Sequence, residues 1–261
     1  MKVTSLEYKP SHRLSHLVES YWSYGFEAHA SAVSPTNICI PKGTIQIILT
    51  LSGQVEMLVD SEWTRVEEKL VAGIQTAPCS WRVHANTQLF GISLKPNSFL
   101  QLSGIPIAEI YQKHLPLQSL TGNRLNGFTD QVKNAHSTQD RIILIESFLS
   151  KMQALLQCRD NLLTKAIRTI WKEEGNISTS LLSRSVFIGE RQLQRLFKTT
   201  VGVSPKLYSR IVRFRNAYEK AQAPKRSAWT DVAYDTGYTD QAHFVKDFKT
   251  FTGLTPTALF N

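Results

Sequence analysis

The sequence predicts an α+β chain: a β-rich N-terminal half with trailing helices, then an all-α C-terminal domain with two helix-turn-helix units joined by a long helix. Three observations predict it. Short β-branched and aromatic runs, punctuated by turn residues, fill the chain up to Pro96. Beyond Ser98 the apolar residues recur at helical spacing. Finally, the segment 181–205 is repeated at 232–256 without a gap.

In the N-terminal half, 21–26 is aromatic-rich, 44–51 is nearly continuous in β-branched residues and 54–59 alternates. Ser52-Gly53 between the last two predicts a tight hairpin turn. Further strands are expected at 65–71, 74–76, 81–84 and 89–94, separated by Ala72-Gly73, Ala77-Pro78 and Lys95-Pro96-Asn97. Many short strands so spaced suggest a sandwich or small barrel. Trp22, Tyr24, Phe26, Trp63, Trp81 and Phe90 either fill its core or line a pocket. Helices follow at 98–102, 107–112, 140–157 and 159–173. The third carries Ile143, Leu144, Phe148, Leu149, Met152, Leu155 and Leu156 at three- and four-residue spacing. That stripe suits either intrachain core or a dimer contact. The domain boundary falls near 157–161, giving domains 1–157 and 158–261.

A chain of 261 residues, 42% hydrophobic and 20% charged, suits two globular domains and excludes bulk disorder. No apolar run approaches the roughly 20 residues that span a bilayer, and 1–10 lacks a signal-peptide core, so a cytoplasmic protein is expected. Cys39, Cys79 and Cys158 are far apart, odd in number and without CxxC spacing. They read as free thiols, not as a zinc site or disulfide framework. Of the net charge of +9, residues 159–261 carry +8, with 17 Lys and Arg against 9 Asp and Glu. Such asymmetry points to a nucleic-acid-facing domain.

Each copy of the repeat reads as helix, turn, helix. Phe197/Phe248, Lys198/Lys249, Thr199/Thr250, Gly202/Gly253 and Pro205/Pro256 are identical. In the second copy Gly237 supplies a positive φ for the turn, Asp240 caps the next helix, Gly253 stops it and Thr255-Pro256 starts another. In the first, Leu193, Leu196, Phe197 and Val201 form an apolar stripe and Arg191, Gln194, Arg195 and Lys198 a polar one. Arg and Gln can read guanine and adenine edges bidentately. The second copy's outward stripe is Ala242, Val245, Lys246 and Lys249, with Gln241 and His243 beside it: phosphate contacts remain, but base readout is thin. Between the units, Leu207, Ile211, Phe214, Ala217 and Tyr218 make one face of a helix of about 18 residues, or about 27 Å. Arg210, Arg213 and Arg215 decorate the rest. Ala223-Pro224-Lys225-Arg226 ends this connector.

The run Ala233-x-x-x-Gly237-Tyr238-x-Asp240-x-x-x-Phe244-x-x-x-Phe248-Lys249-x-x-x-Gly253-x-x-Pro256, with Gln194-Arg195-x-Phe197-Lys198 in the first unit, resembles the AraC/XylS family of bacterial regulators over 161–261. The resemblance implies a sequence-specific transcription regulator. It makes Arg191, Gln194 and Arg195 base readers, with Gln241, His243 and Lys246 as their counterparts. Two positions depart from the family pattern: Val186, where a small turn residue is commoner, and Gly189, where a Ser or Thr cap is. The segments 41–47 and 90–96 resemble the cupin-like sensor halves of the same family. Such a half can bind a small effector, and the helices after it can dimerise. Double-stranded DNA, RNA polymerase, a small effector and a second copy are the partners implied; no cofactor is.

A metal-dependent cupin enzyme is the main rival. It would need clustered His and a carboxylate on neighbouring strands. Here His12, His16, His29, His84, His114 and His136 are scattered, and no HxH, phosphate loop or nucleophile elbow occurs. The sequence therefore reads as a non-enzyme.

Overall fold

Two antiparallel sheets build the N-terminal domain from the short runs of β-branched and aromatic residues. The computed structural model describes residues 1–156, 161–222 and 229–260. Cys158, the expected 157/158 boundary, Ala223-Pro224-Lys225-Arg226 and the side chains of Leu155 and Leu156 lie outside the described residues. The strands are β1 (Lys2–Tyr8), β2 (Val18–Glu27), β3 (Asn37–Cys39), β4 (Ile45–Ser52), β5 (Val55–Val59), β6 (Glu62–Arg65), β7 (Lys69–Ala72), β8 (Cys79–Val83), β9 (Thr87–Leu94) and β10 (His114–Pro116). Six strands pair in the order β1-β2-β9-β4-β7-β10 and four in the order β3-β8-β5-β6.

The expected hairpin at Ser52-Gly53 is not there. β4 pairs with β7 and β9, whereas β5 pairs with β6 and β8. Gly53, at φ +80°, turns a corner from one sheet into the other, and a side chain there would run into Thr87. Local alternation specifies a strand but not its neighbour, so corner and hairpin look alike in sequence. The expected 65–71 strand is split into β6 and β7, and 74–76 is no strand: Ile74 accepts from the Gln112 backbone in an irregular crossing.

Trp22 on β2 lies across Gly91 on β9, where no side chain would fit. Its indole donates to Gln46 on β4 (2.9 Å), which also accepts from Ser93 (2.9 Å). The two N-terminal motifs at 41–47 and 90–96 therefore meet on neighbouring strands. Tyr24, Phe26 and Phe90 are buried, and Trp81 meets Tyr24 edge-on at 5.0 Å. These aromatic residues pack as core.

The helices are α1 (Pro96–Ser103), α2 (Leu117–Thr121), α3 (Asn126–Asn134), α4 (Thr138–Leu156), α5 (Leu162–Lys172), α6 (Thr179–Ser185), α7 (Glu190–Thr200), α8 (Pro205–Ala221), α9 (Trp229–Asp235), α10 (Gln241–Thr252) and α11 (Pro256–Phe260). Among the described residues, no helix is long and apolar enough to cross a membrane. The helix expected at 107–112 is a single 3₁₀ turn, Ile107–Glu109. On α4 the fully buried residues are Ile142, Ile145 and Leu149; Leu144 and Phe148 pack beside them, while Ile143 faces solvent. Phe148 stacks on Phe128 of α3 at 4.2 Å. Leu144, Phe148 and Leu149 of the stripe are thus intrachain core.

One hydrophobic core runs from the large sheet into the helical domain. Gly43, at φ +72°, brings the β3–β4 connection against Tyr208, Ile211 and Val212 of α8. The Tyr208 hydroxyl donates to the Gly43 carbonyl (2.9 Å) and accepts from the Trp171 indole (2.8 Å). Burial raises the Tyr208 pKa, so the hydroxyl keeps the proton it donates. Beside it, Arg215 lies over the Trp171 ring at 4.7 Å and pairs with Glu19 of β2 and Glu219, each at 2.6 Å. Lys95, between β9 and α1, reaches the same Glu19 at 3.5 Å. Arg215 is therefore an internal link between the halves, not a decoration of α8.

Candidate nucleic-acid interface

The two helix-turn-helix units share their framework. In unit one Ser178 caps α6 by accepting from the Leu181 amide (3.2 Å), and Ser204 caps α8 through the Leu207 amide (3.2 Å). In unit two the Asp240 carboxylate accepts from the His243 amide (2.7 Å), which holds its pKa below the usual carboxylate value. Gly253 ends α10 at φ +76°, and Thr255 caps α11 through the Ala258 amide (3.2 Å).

The turns differ by one residue. In unit two the left-handed residue is Gly237 (φ +77°), and Tyr238 after it is buried. The aligned pair in unit one is Val186 and Phe187. Val186 keeps φ −110° and is buried; Phe187 takes φ +58° and is 94% exposed. A β-branched side chain resists the left-handed region, so the helix runs one residue further and its neighbour carries the strain. Gly189, the other departure from the family pattern, is the N-cap of α7 and offers no side-chain bond. Phe187→Gly should stabilise unit one by about 1 kcal/mol, since glycine relieves the positive φ and little packing is lost. An unchanged or lower melting midpoint would refute the strain.

On α7, Leu193 and Phe197 are fully buried, and Arg191, Gln194, Arg195 and Lys198 are exposed. The side chains of Arg191, Gln194 and Arg195 engage none of the described residues, so their donors are free for a ligand. Lys198 instead donates to the Gly202 carbonyl (3.2 Å) at the end of its own helix. On α10, Gln241, Lys246 and Lys249 are exposed and line one shallow depression with Ala242, Val245 and Thr250. His243 is not part of it. Its ring is half-buried, edge-on to Tyr238 at 5.3 Å, with Arg213 at 3.4 Å and Thr239 at 3.5 Å.

α8 fixes α7 and α10 relative to each other. Its 17 residues span about 25 Å at about 1.5 Å per residue. Asp247 on α10 is fully buried and takes Arg210 at 2.6 Å and Arg213 at 3.7 Å, both from α8. Sequence reasoning missed this anchor, although a signal was present. Asp247 stands where unit one has Leu196, within the apolar stripe of Phe244, Phe248 and Phe251. A carboxylate at such a position requires a buried cation.

The chain matches a family described as a helix-turn-helix domain over residues 182–261. Residues 182–261 are thus a helix-turn-helix domain. Residues 6–116 match a second family, described as a domain of unknown function (DUF6597). No curated protein matches the sequence. Similar solved structures include ToxT from Vibrio cholerae O395, 11% identical, covering 99% of this chain and 96% of that one at a TM-score of 0.48. A transcriptional regulator of the AraC type from Chromobacterium violaceum is 25% identical, covering 38% of this chain and 88% of its own at a TM-score of 0.35. The AraC-like transcriptional activator CuxR is 14% identical, covering 90% and 100% at a TM-score of 0.30. The helix-turn-helix domain makes this protein a DNA-binding transcription regulator. Its two units present one open face of arginine and glutamine and one of lysine.

Proposed function

We propose that the protein recognises a specific duplex sequence by laying α7 and α10 in successive major grooves. Arg191, Gln194 and Arg195 read bases, and Gln241, Lys246 and Lys249 hold the backbone. The observation that carries this reading is the free donor face of α7 beside an α10 anchored through Asp247 to the same connecting helix. A connector of about 25 Å between helix ends is of the order of one B-DNA turn, about 34 Å. Lys198 and His243 already have partners within the protein, so Lys198 acts on phosphate only after leaving Gly202, and His243 positions Tyr238 and Arg213.

Binding-site selection from random duplexes tests this; a pool without an enriched motif would sink it. With the selected duplex, Arg195→Ala should relax one base position and cost about 1–3 kcal/mol. Lys249→Ala should weaken all sequences alike and flatten the salt slope by about one unit. Identical behaviour of the two variants would overturn the division of labour.

Residues 1–157 form the regulatory half in this reading and 158–261 the DNA-binding half, in a cytoplasmic protein that acts on RNA polymerase and performs no catalysis. A small effector in the regulatory half would reach the DNA-binding half through the Gly43–Tyr208 and Glu19–Arg215 contacts. Among the described residues, no group of three His, Cys, Asp or Glu could hold a metal. Self-association through α4 would have to use its exposed Ile143 side, because Ile142, Ile145 and Leu149 are buried within the chain.

A further inference from the structure

Cys39 and Cys79 are direct partners in the antiparallel ladder between β3 and β8, and both are half-exposed. Opposed residues in such a ladder have Cα atoms about 4.5 or 5.5 Å apart, according to the hydrogen-bonding position. Both values lie within the range a disulfide bridges, about 4.4–6.8 Å. The two thiols are close enough to shift each other, Cys39 down and Cys79 up, and the Cys39 sulfur also lies 4.0 Å from the Ile40 carbonyl. On the other side of Cys79, the His114 Nε2 lies 3.9 Å from its sulfur. The pair sits between two contacts with the DNA-binding domain. Four residues beyond Cys39 is Gly43, seated on α8. Immediately before Cys79 is Pro78, 3.8 Å from where a side chain on Gly253, the stop of α10, would begin.

We propose that Cys39 and Cys79 form a reversible cross-strand disulfide, with a low-molecular-weight disulfide as oxidant, and that its formation changes DNA affinity through Gly43 and Pro78. The Cys39 thiolate attacks the oxidant, forming a mixed disulfide and releasing one small thiolate. Cys79, giving its proton to His114, then attacks the Cys39 sulfur and expels the second. Two protein thiols and one small disulfide thus become one protein disulfide and two small thiols. The roles follow from the asymmetry of the pair. The neighbouring Cys79 holds the Cys39 pKa below the usual thiol value, aided by Lys42, and Cys39 in turn pushes Cys79 up. Burial keeps the His114 pKa low, so the imidazole beside the Cys79 sulfur is neutral. The coupling to DNA rests on the function proposed above; the disulfide does not.

The test uses the full chain carrying Cys158→Ser, treated with oxidised glutathione, alkylated and digested for mass spectrometry. The expected product is one intrachain cross-link between the Cys39 and Cys79 peptides, lost on adding dithiothreitol. Cys79→Ser in the same background should stop at a glutathione adduct on Cys39. Alkylation of both thiols after oxidation, or cross-links only between chains, would overturn the site. Affinity for the selected duplex should change by about fivefold or more on oxidation, the lower bound of ordinary coupling between sites. A cross-link that forms without such a change would overturn the coupling alone. If selection yields no motif, the DNA reading has failed and the mass result still decides the disulfide.

Discussion

Asp247→Ala is expected to destabilise the second helix-turn-helix unit by about 3 kcal/mol. Removing one partner of a buried ion pair typically costs about 3–5 kcal/mol, because the remaining charge has neither water nor a counterion. The lower end applies here. The Arg210 side chain is 31% exposed and can turn to solvent, whereas Arg213, at 15%, is held over the Tyr238 ring at 4.4 Å. The alanine also leaves a gap among Phe244, Phe248 and Phe251, all fully buried. Urea unfolding followed by far-ultraviolet circular dichroism measures the loss. Asp247→Asn should lose less, since one hydrogen bond to Arg210 survives. A loss below about 0.5 kcal/mol for the alanine variant, the size of an ordinary surface substitution, would show that the pair does not hold α10 to α8. The functional consequence is separable. The Arg191, Gln194 and Arg195 face is untouched, so the variant should keep its base preference while its affinity and salt slope fall.

Gly175→Ala should cost a similar amount by a different route. Gly175 sits at φ +80° between α5 and α6, and a methyl group there would meet the Arg213 backbone nitrogen at 2.6 Å and press on the Ser209 carbonyl. A positive φ costs an L-residue about 1–2 kcal/mol, and overpacking against backbone adds about 1–3 kcal/mol. Backbone cannot rotate aside, so α8 itself must shift, and with it the spacing of α7 and α10. A drop of about 3 kcal/mol in thermal or urea melts is expected, with weaker binding to the selected duplex. Gly189→Ala is the control. Its φ is −70° and a methyl there meets nothing within 4 Å, so it should stay within about 0.5 kcal/mol of the parent. Equal losses in the two variants would remove the steric explanation.

Much of the helical domain was legible in the sequence. Caps and stops are local chemistry: Ser204, Asp240, Gly253 and Thr255 act where their residue types predict. The open face of α7 was legible because helical periodicity assigns each side chain to a face. Arginines on α8 were misplaced by the same logic. Periodicity showed that they lay off the main apolar stripe, but not that the N-terminal domain covers a second side of the helix through Tyr208 and Val212. The turn of unit one shows a subtler limit. An ungapped repeat aligned Val186 with Gly237, yet the backbone shifted by one residue because valine cannot do what glycine does there.

By itself, then, the sequence determined the two-part architecture, the duplicated unit and the residues that face outward from α7 and α10, all set by chemistry within a few residues along the chain. The tertiary structure decided which partners those elements meet. Glu19 and Arg215 are 196 residues apart, Cys39 and Cys79 belong to different strands, and Gly53 turns between sheets instead of closing a hairpin. Such pairings depend on which surfaces can be buried together once the whole chain competes for the same core, and no spacing along the chain encodes that competition.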